Sequence, residues 1–318
     1  MSIAFVFPGQ GAQSIGMGKD LADNYQAARA VFDEVDAALE QNLSALIWEG
    51  DIETLTLTAN AQPALMATSM AAMAALGTEG ITIDHAGFVA GHSLGEYSAL
   101  AAAGALSLAD AARLLRLRGQ AMQAAVPVGD GAMAALLGLD FDQATAVAEQ
   151  AGQSRICVAA NDNDPAQVVV SGHKDAVERA IELAKDAGAK RAILLPVSAP
   201  FHCSLMEPAA AKMAEALAQV EINRPAVPLV ANVLAQSVSD PSTIRSLLVQ
   251  QVTGTVRWRE SVMWLASQGV TDIWEIGAGK ALSGMVRRID RSLATRNFGT
   301  AADVAAAADL SEQGNGNV

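Results

Sequence analysis

One pentapeptide constrains this chain more than any other stretch. It is Gly91-His92-Ser93-Leu94-Gly95, preceded by the apolar Phe88-Val89-Ala90 and followed by Glu96-Tyr97-Ser98-Ala99-Leu100. A buried strand that runs into G-x-S-x-G and leaves as a small-residue helix is the nucleophile-elbow pattern. The glycines let strand and helix pass closely and tolerate strained dihedrals, and the turn lifts the Ser93 hydroxyl clear of the backbone. The helix N-terminus beneath it offers free N–H groups and partial positive charge, suited to a developing oxyanion. Small-residue turns are common, so the flanks carry this reading as much as the motif does.

Composition narrows the class. With 318 residues the chain is long enough for one large domain or two ordinary ones. Hydrophobic residues make up 51% and aromatics only 4%, so a substantial core must be built from Ala, Leu, Val and Met. A net charge of -13 argues against general nucleic-acid binding, and an acidic partner would need a local basic patch. The two cysteines, Cys157 and Cys203, have neither metal-ligand spacing nor a disulfide framework, which fits a reducing, cytoplasmic setting. The opening Ser2-Ile3-Ala4-Phe5-Val6-Phe7 has no basic n-region and reads as a strand rather than a signal peptide. No apolar run is long enough to span a bilayer.

A strand at 3–7 leads into the loop Pro8-Gly9-Gln10-Gly11-Ala12-Gln13. A dinucleotide fingerprint is rejected there, since Ser14 replaces its third glycine and no acid-ended strand follows. The loop reads instead as one whose backbone N–H groups point into a site. Residues 18–40 read as helical with acids on the outer face, and Asn60-Ala61-Gln62-Pro63 opens a helix over 60–75 with Pro63 in its first turn. A helix capped by Ser107 covers 108–125. On its wheel Leu114, Leu115, Met122 and Arg118 share the apolar stripe, whereas Arg113 and Arg116 point away. An arginine on a buried face keeps its proton and needs a partner. Either a local carboxylate forms a structural ion pair, or the partner is a ligand.

From 126 to 196 the texture changes to strands at 132–139, 155–160, 167–171 and 191–197 with helices at 141–151 and 175–187. This β-α-β-β-α-β order is the ferredoxin-like pattern and reads as an insert, with Asn161-Asp162-Asn163-Asp164-Pro165 as its central tight turn. Next comes the loop Ser198-Ala199-Pro200-Phe201-His202-Cys203 and a helix over 204–220. His85 and His173 sit at loop edges, His92 lies in the elbow, and His202 falls at the domain junction where sites tend to form. Strands follow at 227–231 and 271–276, with helices at 244–252, carrying Gln250 and Gln251, and at 256–268. Gly277-Ala278-Gly279-Lys280 could cradle a phosphate but reads better as a tight connection into a helix ending near Arg288. The Gly/Asn-rich end, 311–318, reads as frayed.

Taken together, the motifs resemble the malonyl-CoA:acyl carrier protein transacylases, the acyltransferase family of fatty acid synthesis. The matching pieces are Phe7-Pro8-Gly9-Gln10-Gly11, Gln62-Pro63, the elbow with Glu96-Tyr97, and Arg118-Gly119-x-x-Met122-Gln123. Asn163, Pro196-Val197-Ser198-x-Pro200-x-His202, Gln251 and Glu275-x-Gly277-x-Gly279 complete them in the family order, across nearly the whole chain. The resemblance implies an α/β fold: a hydrolase-like core with a mostly parallel sheet (1–125 and 197–310) and a small inserted ferredoxin-like α+β subdomain (126–196).

It also implies roles. Ser93 would be the nucleophile and His202 the base, then acid. Backbone N–H groups of Gln10 and Leu94 would form the oxyanion hole. Arg118 would hold the malonyl carboxylate, and the Gln251 carbonyl would replace the third triad member. Asn163 would sit at the site rim, and the bulk of Phe201 would disfavour α-branched acyl groups. The reaction implied is ping-pong transfer from malonyl-CoA to the phosphopantetheine thiol of acyl carrier protein, with no metal or redox cofactor. Candidate docking cations for that acidic carrier are Lys190 and Arg191, or Arg287, Arg288 and Arg291. The residues leave open a serine thioesterase or esterase, an acyltransferase for another carboxyacyl-CoA, and a non-catalytic carrier-binding module.

Overall fold

The computed structural model describes residues 2–197 and 199–314, with 308–314 described by backbone alone. Ten strands form two sheets: β1 (Ser2–Phe7), β2 (Phe88–Gly91), β3 (Gly131–Leu137), β4 (Cys157–Asp164), β5 (Gln167–His173), β6 (Arg191–Leu194), β7 (Leu229–Ala231), β8 (Gln236–Val238), β9 (Val270–Ile276) and β10 (Ala294–Phe298). The larger sheet runs β10-β9-β1-β2-β7-β8, and every pairing in it is parallel except β7 with β8. The smaller is antiparallel, in the order β4-β5-β3-β6. This is the mixed α/β class that the resemblance implied.

The central strand β1 explains why the larger sheet has helices on both faces. Alternate side chains along a strand point to opposite faces. Phe5 and Phe7 enter one apolar cluster with Val89, while Ala4 and Val6 enter another with Ala90, Val230 and Trp258. A strand buried on both faces reads as a continuous apolar run, as 3–7 does. The helix Thr58–Thr78 is buried around its whole circumference over most of its length. It begins earlier than the expected 60, with the Leu57 carbonyl accepting from the N–H groups of Asn60 and Ala61, so Pro63 lies inside the helix rather than in its first turn. The neighbouring helix Leu108–Ala124 crosses just there. A Cβ at Gly119 would come within 2.5 Å of the Thr58 carbonyl oxygen, so only glycine permits the approach.

The stretch expected to be an insert, with the smaller sheet, has its own apolar cluster, including Leu136, Leu139, Val147, Val168, Val170 and Val177. Its order of elements matches the expected β-α-β-β-α-β, but the expected central turn is wrong. Asn161, Asp162, Asn163 and Asp164 continue β4 and are all buried, leaving only Pro165 and Ala166 to turn. Polar turn formers are held in a strand because residues far along the chain, outside the smaller sheet, supply their partners. Asp162 pairs with Arg259 at 2.9 Å and Asp164 with Arg288 at 2.7 Å. Asn161 bridges Val256 through the backbone, which also starts the following helix at Trp258 rather than 256.

Other boundaries moved for local reasons. The helical stretch 18–40 is two helices, Lys19–Asn24 and Gln26–Leu39, broken where Tyr25 is extended. The strand expected to reach 197 ends at Leu194, and the helix expected over 204–220 is a 3-10 turn, Ser204–Met206, followed by Glu207–Leu217. The helices Leu43–Glu49 and Ile52–Thr56 and the strands β8 and β10 lie where no periodic signal was read. A last helix, Ala301–Gly314, runs into the stretch expected to fray, of which 315–318 lie outside the described residues. Among the described residues no helix is long and apolar enough to cross a membrane.

Candidate active site

The elbow forms at the end of β2. A Cβ on Gly91 would sit 2.0 Å from the Gly95 carbonyl group, and one on Gly95 would sit 2.2 Å from the Phe7 carbonyl oxygen. No other residue fits either place. Between them Ser93 adopts φ 53°, the left-handed region that costs a non-glycine residue energy. Asn232, directly after β7, helps to hold that strain. Its Oδ1 accepts from the Ser93 N–H at 2.8 Å and its Nδ2 donates to the Gly91 carbonyl at 2.7 Å. The sequence reading missed Asn232. Its only signal was a polar residue closing a buried strand.

His202 comes from the loop that leaves the insert. It too is left-handed, at φ 58°, and is only 3% exposed. Its Nδ1 faces two carbonyl oxygens, Gln251 at 2.9 Å and Gly254 at 3.2 Å, so that nitrogen carries the proton. Nε2 is then the acceptor for the Ser93 hydroxyl at 2.8 Å. Among the described residues no carboxylate bonds to His202; main-chain carbonyls orient the ring. Burial, and then the nearby Arg118 charge, pushes its pKa down to about 3, so the resting imidazole is neutral and ready to accept a proton.

Arg118 is 1% exposed, on the apolar stripe the helical wheel placed it on. Its Nη2 donates to the Ser93 hydroxyl at 3.1 Å and to the Gln251 Oε1 at 2.8 Å, and its Nη1 donates to the Gln62 Oε1 at 2.8 Å. Among the described residues it forms no ion pair, and its Nε has no partner. The local salt bridge that could have explained a buried arginine is therefore missing. Arg113, by contrast, reaches Asp110, and Arg116 binds Asn60 and Gln41 on the outer side.

Gln10 and Leu94 both line the cavity beside Ser93, and the backbone N–H of neither donates to another backbone carbonyl among the described residues. The cavity measures about 350 Å³ and lies between the two sheets. Phe201 lines it, as do Met122 from the arginine helix and Met133 and Val169 from the insert. Asn163 lines this cavity. It is 4% exposed and its Oδ1 lies 2.8 Å from the His92 Nε2, joining the insert to the elbow. Glu96 and Gln62, quoted above only as parts of motifs, prove to be partners of Gln251 and Arg118.

The remaining candidates resolve simply. The turn after β9 holds no free phosphate cradle, because the Glu275 carboxylate already caps the following helix, accepting from the N–H groups of Leu282 and Ser283. Lys190 and Arg191 are exposed at the β6 edge. Arg287, Arg288 and Arg291 are exposed too, and Arg288 is also engaged by Asp164. Among the described residues no cluster of His, Cys, Asp and Glu could hold a metal ion.

Residues 4–294 match the family model described as the acyl transferase domain. The malonyl CoA-acyl carrier protein transacylase of Bacillus subtilis is 51% identical over 294 residues, covering 92% of each chain. The crystal structure of acyl-carrier-protein-S-malonyltransferase from Bartonella henselae superposes with a TM-score of 0.95 at 55% identity, covering 98% of this chain and 99% of that one. A malonyl-transacylase solved in complex with its type II PKS acyl-carrier protein superposes with a TM-score of 0.94 at 41% identity, covering 98% and 100%.

Proposed function

This chain belongs to the acyl transferase family, and on that premise we propose that it carries a malonyl group from malonyl-CoA to an acyl carrier protein through an ester on Ser93. The observation that carries the malonyl reading is the Arg118 guanidinium, buried, 3.1 Å from the Ser93 hydroxyl and without a carboxylate partner among the described residues. A guanidinium grips a carboxylate through two parallel hydrogen bonds, and among the described residues the present acceptors of Arg118 are all neutral. A relative solved with its acyl-carrier protein supports the second substrate.

The steps follow from the geometry. As the Ser93 oxygen attacks the thioester carbonyl, its proton passes to the His202 Nε2, 2.8 Å away. The charge that develops on the carbonyl oxygen is met by the N–H groups of Gln10 and Leu94; losing one such donor typically costs ~10²–10³ in rate. The Gln251 and Gly254 carbonyls stabilise the imidazolium through Nδ1. Collapse breaks the carbon–sulfur bond, and the coenzyme A sulfur leaves with the proton from His202. In the second half His202 takes the proton of the phosphopantetheine thiol, whose sulfur attacks the ester. Ser93 leaves and regains its proton. No metal or redox group enters these steps, and the setting is cytoplasmic.

The test is a radiolabelled malonyl-CoA incubation. We expect label on the chain that survives denaturation, is absent from Ser93→Ala, and moves to the thiol of acyl carrier protein much faster than to water. Label released to water as quickly as to carrier would make the protein a thioesterase instead.

A further inference from the structure

Glu96 is a buried carboxyl, 1% exposed, that the reaction above does not use. It lies in the first turn of the elbow helix Gly95–Ala102, whose positive end favours a carboxylate there. Its Oε2 accepts from the Gln251 Nε2 at 2.8 Å and from the Asn232 N–H at 3.3 Å. Its Oε1 has no partner among the described residues. The Gln251 Nε2 also donates to the Ser93 carbonyl at 2.9 Å, so the amide end of Gln251 faces two acceptors. Its other end, Oε1, must therefore be the atom that accepts from Arg118 at 2.8 Å. A reversed amide would set oxygen against oxygen at Glu96 and N–H against N–H at Arg118.

From this chain of contacts we infer that Glu96 is a positioning residue for acyl selectivity: by fixing the Gln251 amide it keeps Arg118 aimed at the acyl pocket. The inference rests on the malonyl reading above. Glu96 does not touch Arg118. Had it done so, the two would form a closed ion pair, and an incoming carboxylate would have to break it. The single amide between them transmits orientation and leaves the guanidinium open to a guest. Reach, not charge, is what the contact needs. A Gln at 96 can still present an oxygen to the Gln251 amide and the Asn232 N–H, merely exchanging one unpaired buried atom for another.

Two variants separate reach from charge. Glu96→Gln keeps the reach and removes the charge; Glu96→Asp keeps the charge and withdraws the oxygen by one methylene. The readout is kcat/KM for malonyl-CoA divided by that for acetyl-CoA, with labelling of Ser93 by a fluorophosphonate as the measure of an intact nucleophile. We expect the Glu96→Gln ratio to stay within about twofold of wild type and the Glu96→Asp ratio to fall at least tenfold, with Ser93 labelling preserved in both. A purely structural role would lower both substrates together and leave the ratio unmoved, which overturns the inference. An equal fall in the two variants overturns it also, because charge would then be the cause. If wild type itself shows no preference for malonyl-CoA, it is the malonyl reading that fails, and the variants are not needed to see it.

Discussion

Arg118 donates a hydrogen bond to the very hydroxyl that Ser93 offers to His202, at 3.1 Å, and among the described residues it pairs with no carboxylate. A charge taken out of water without a counter-ion is costly, and proteins keep such groups where a ligand completes them. Gln62 and Gln251 satisfy part of the guanidinium while remaining neutral. The proposed malonyl role of the site rests on this arrangement.

Replacing Arg118 should expose this directly. In the proposed role Arg118 makes two charge-assisted hydrogen bonds to the acyl carboxylate, worth about 3 kcal/mol or more together, so Arg118→Ala should lower kcat/KM for malonyl-CoA ~100-fold or further. Acetyl-CoA should suffer much less. A panel of acyl-CoA substrates measures both, and an unchanged acyl preference would falsify the carboxylate role.

The neutral imidazole predicts an unusual pH response. His202 is held down to about 3, against an ordinary 6.5. Between those values the unfolded chain binds a proton that the folded chain refuses, so this residue makes stability fall as pH drops, by at most about 1.4 kcal/mol per pH unit. Its base form persists meanwhile in the folded state. We expect the acid limb of kcat/KM to lie at least one unit below 6.5, and urea unfolding to show a loss of stability from pH 6.5 downward that is smaller in His202→Asn. An acid limb centred near 6.5 would count against a dry, neutral His202.

Asn232 should matter to rate out of proportion to its distance from the substrate. Asn232→Ala leaves the Ser93 N–H and the Gly91 carbonyl without their side-chain partner, each a buried group costing roughly 1–3 kcal/mol when unmet. Chemical denaturation should show a destabilisation of that size. The kcat should fall more than tenfold while KM for malonyl-CoA changes little, since the elbow relaxes and the acyl pocket stays. Unaltered kcat in a folded variant would show that Gly91 and Gly95 hold the elbow without help.

Carrier docking on an acidic enzyme calls for local cations. Lys190 and Arg191 stand exposed at the free β6 edge and Arg287 on the helix Ala281–Ile289, while Arg288 is partly neutralised by Asp164. Reversing the charge at Lys190 and Arg191 should raise KM for acyl carrier protein several-fold and leave KM for malonyl-CoA unchanged, in steady-state assays at low salt. Equal behaviour of both substrates would clear that edge of the role.

Local chemistry carried much of this molecule. The apolar run 3–7, the glycine pair around Ser93 and the placement of Arg118 among Leu114, Leu115 and Met122 are set by steric and periodic rules that act within a few residues, and the structure follows them. The same rules misplaced Asn161 through Asp164, because a polar run reads as a turn until Arg259 and Arg288 arrive from far along the chain to bury it. For Asn232 they offered only a polar residue closing a buried strand, and they named Glu96 and Gln62 without a purpose. The meeting of Ser93 with His202, of His202 with two main-chain carbonyls, and of Arg118 with no acid among the described residues was decided only by the fold. Within the site, hydrogen bonds between groups separated by up to 158 positions depend on how the sheets pack, and no pattern of neighbouring side chains encodes that.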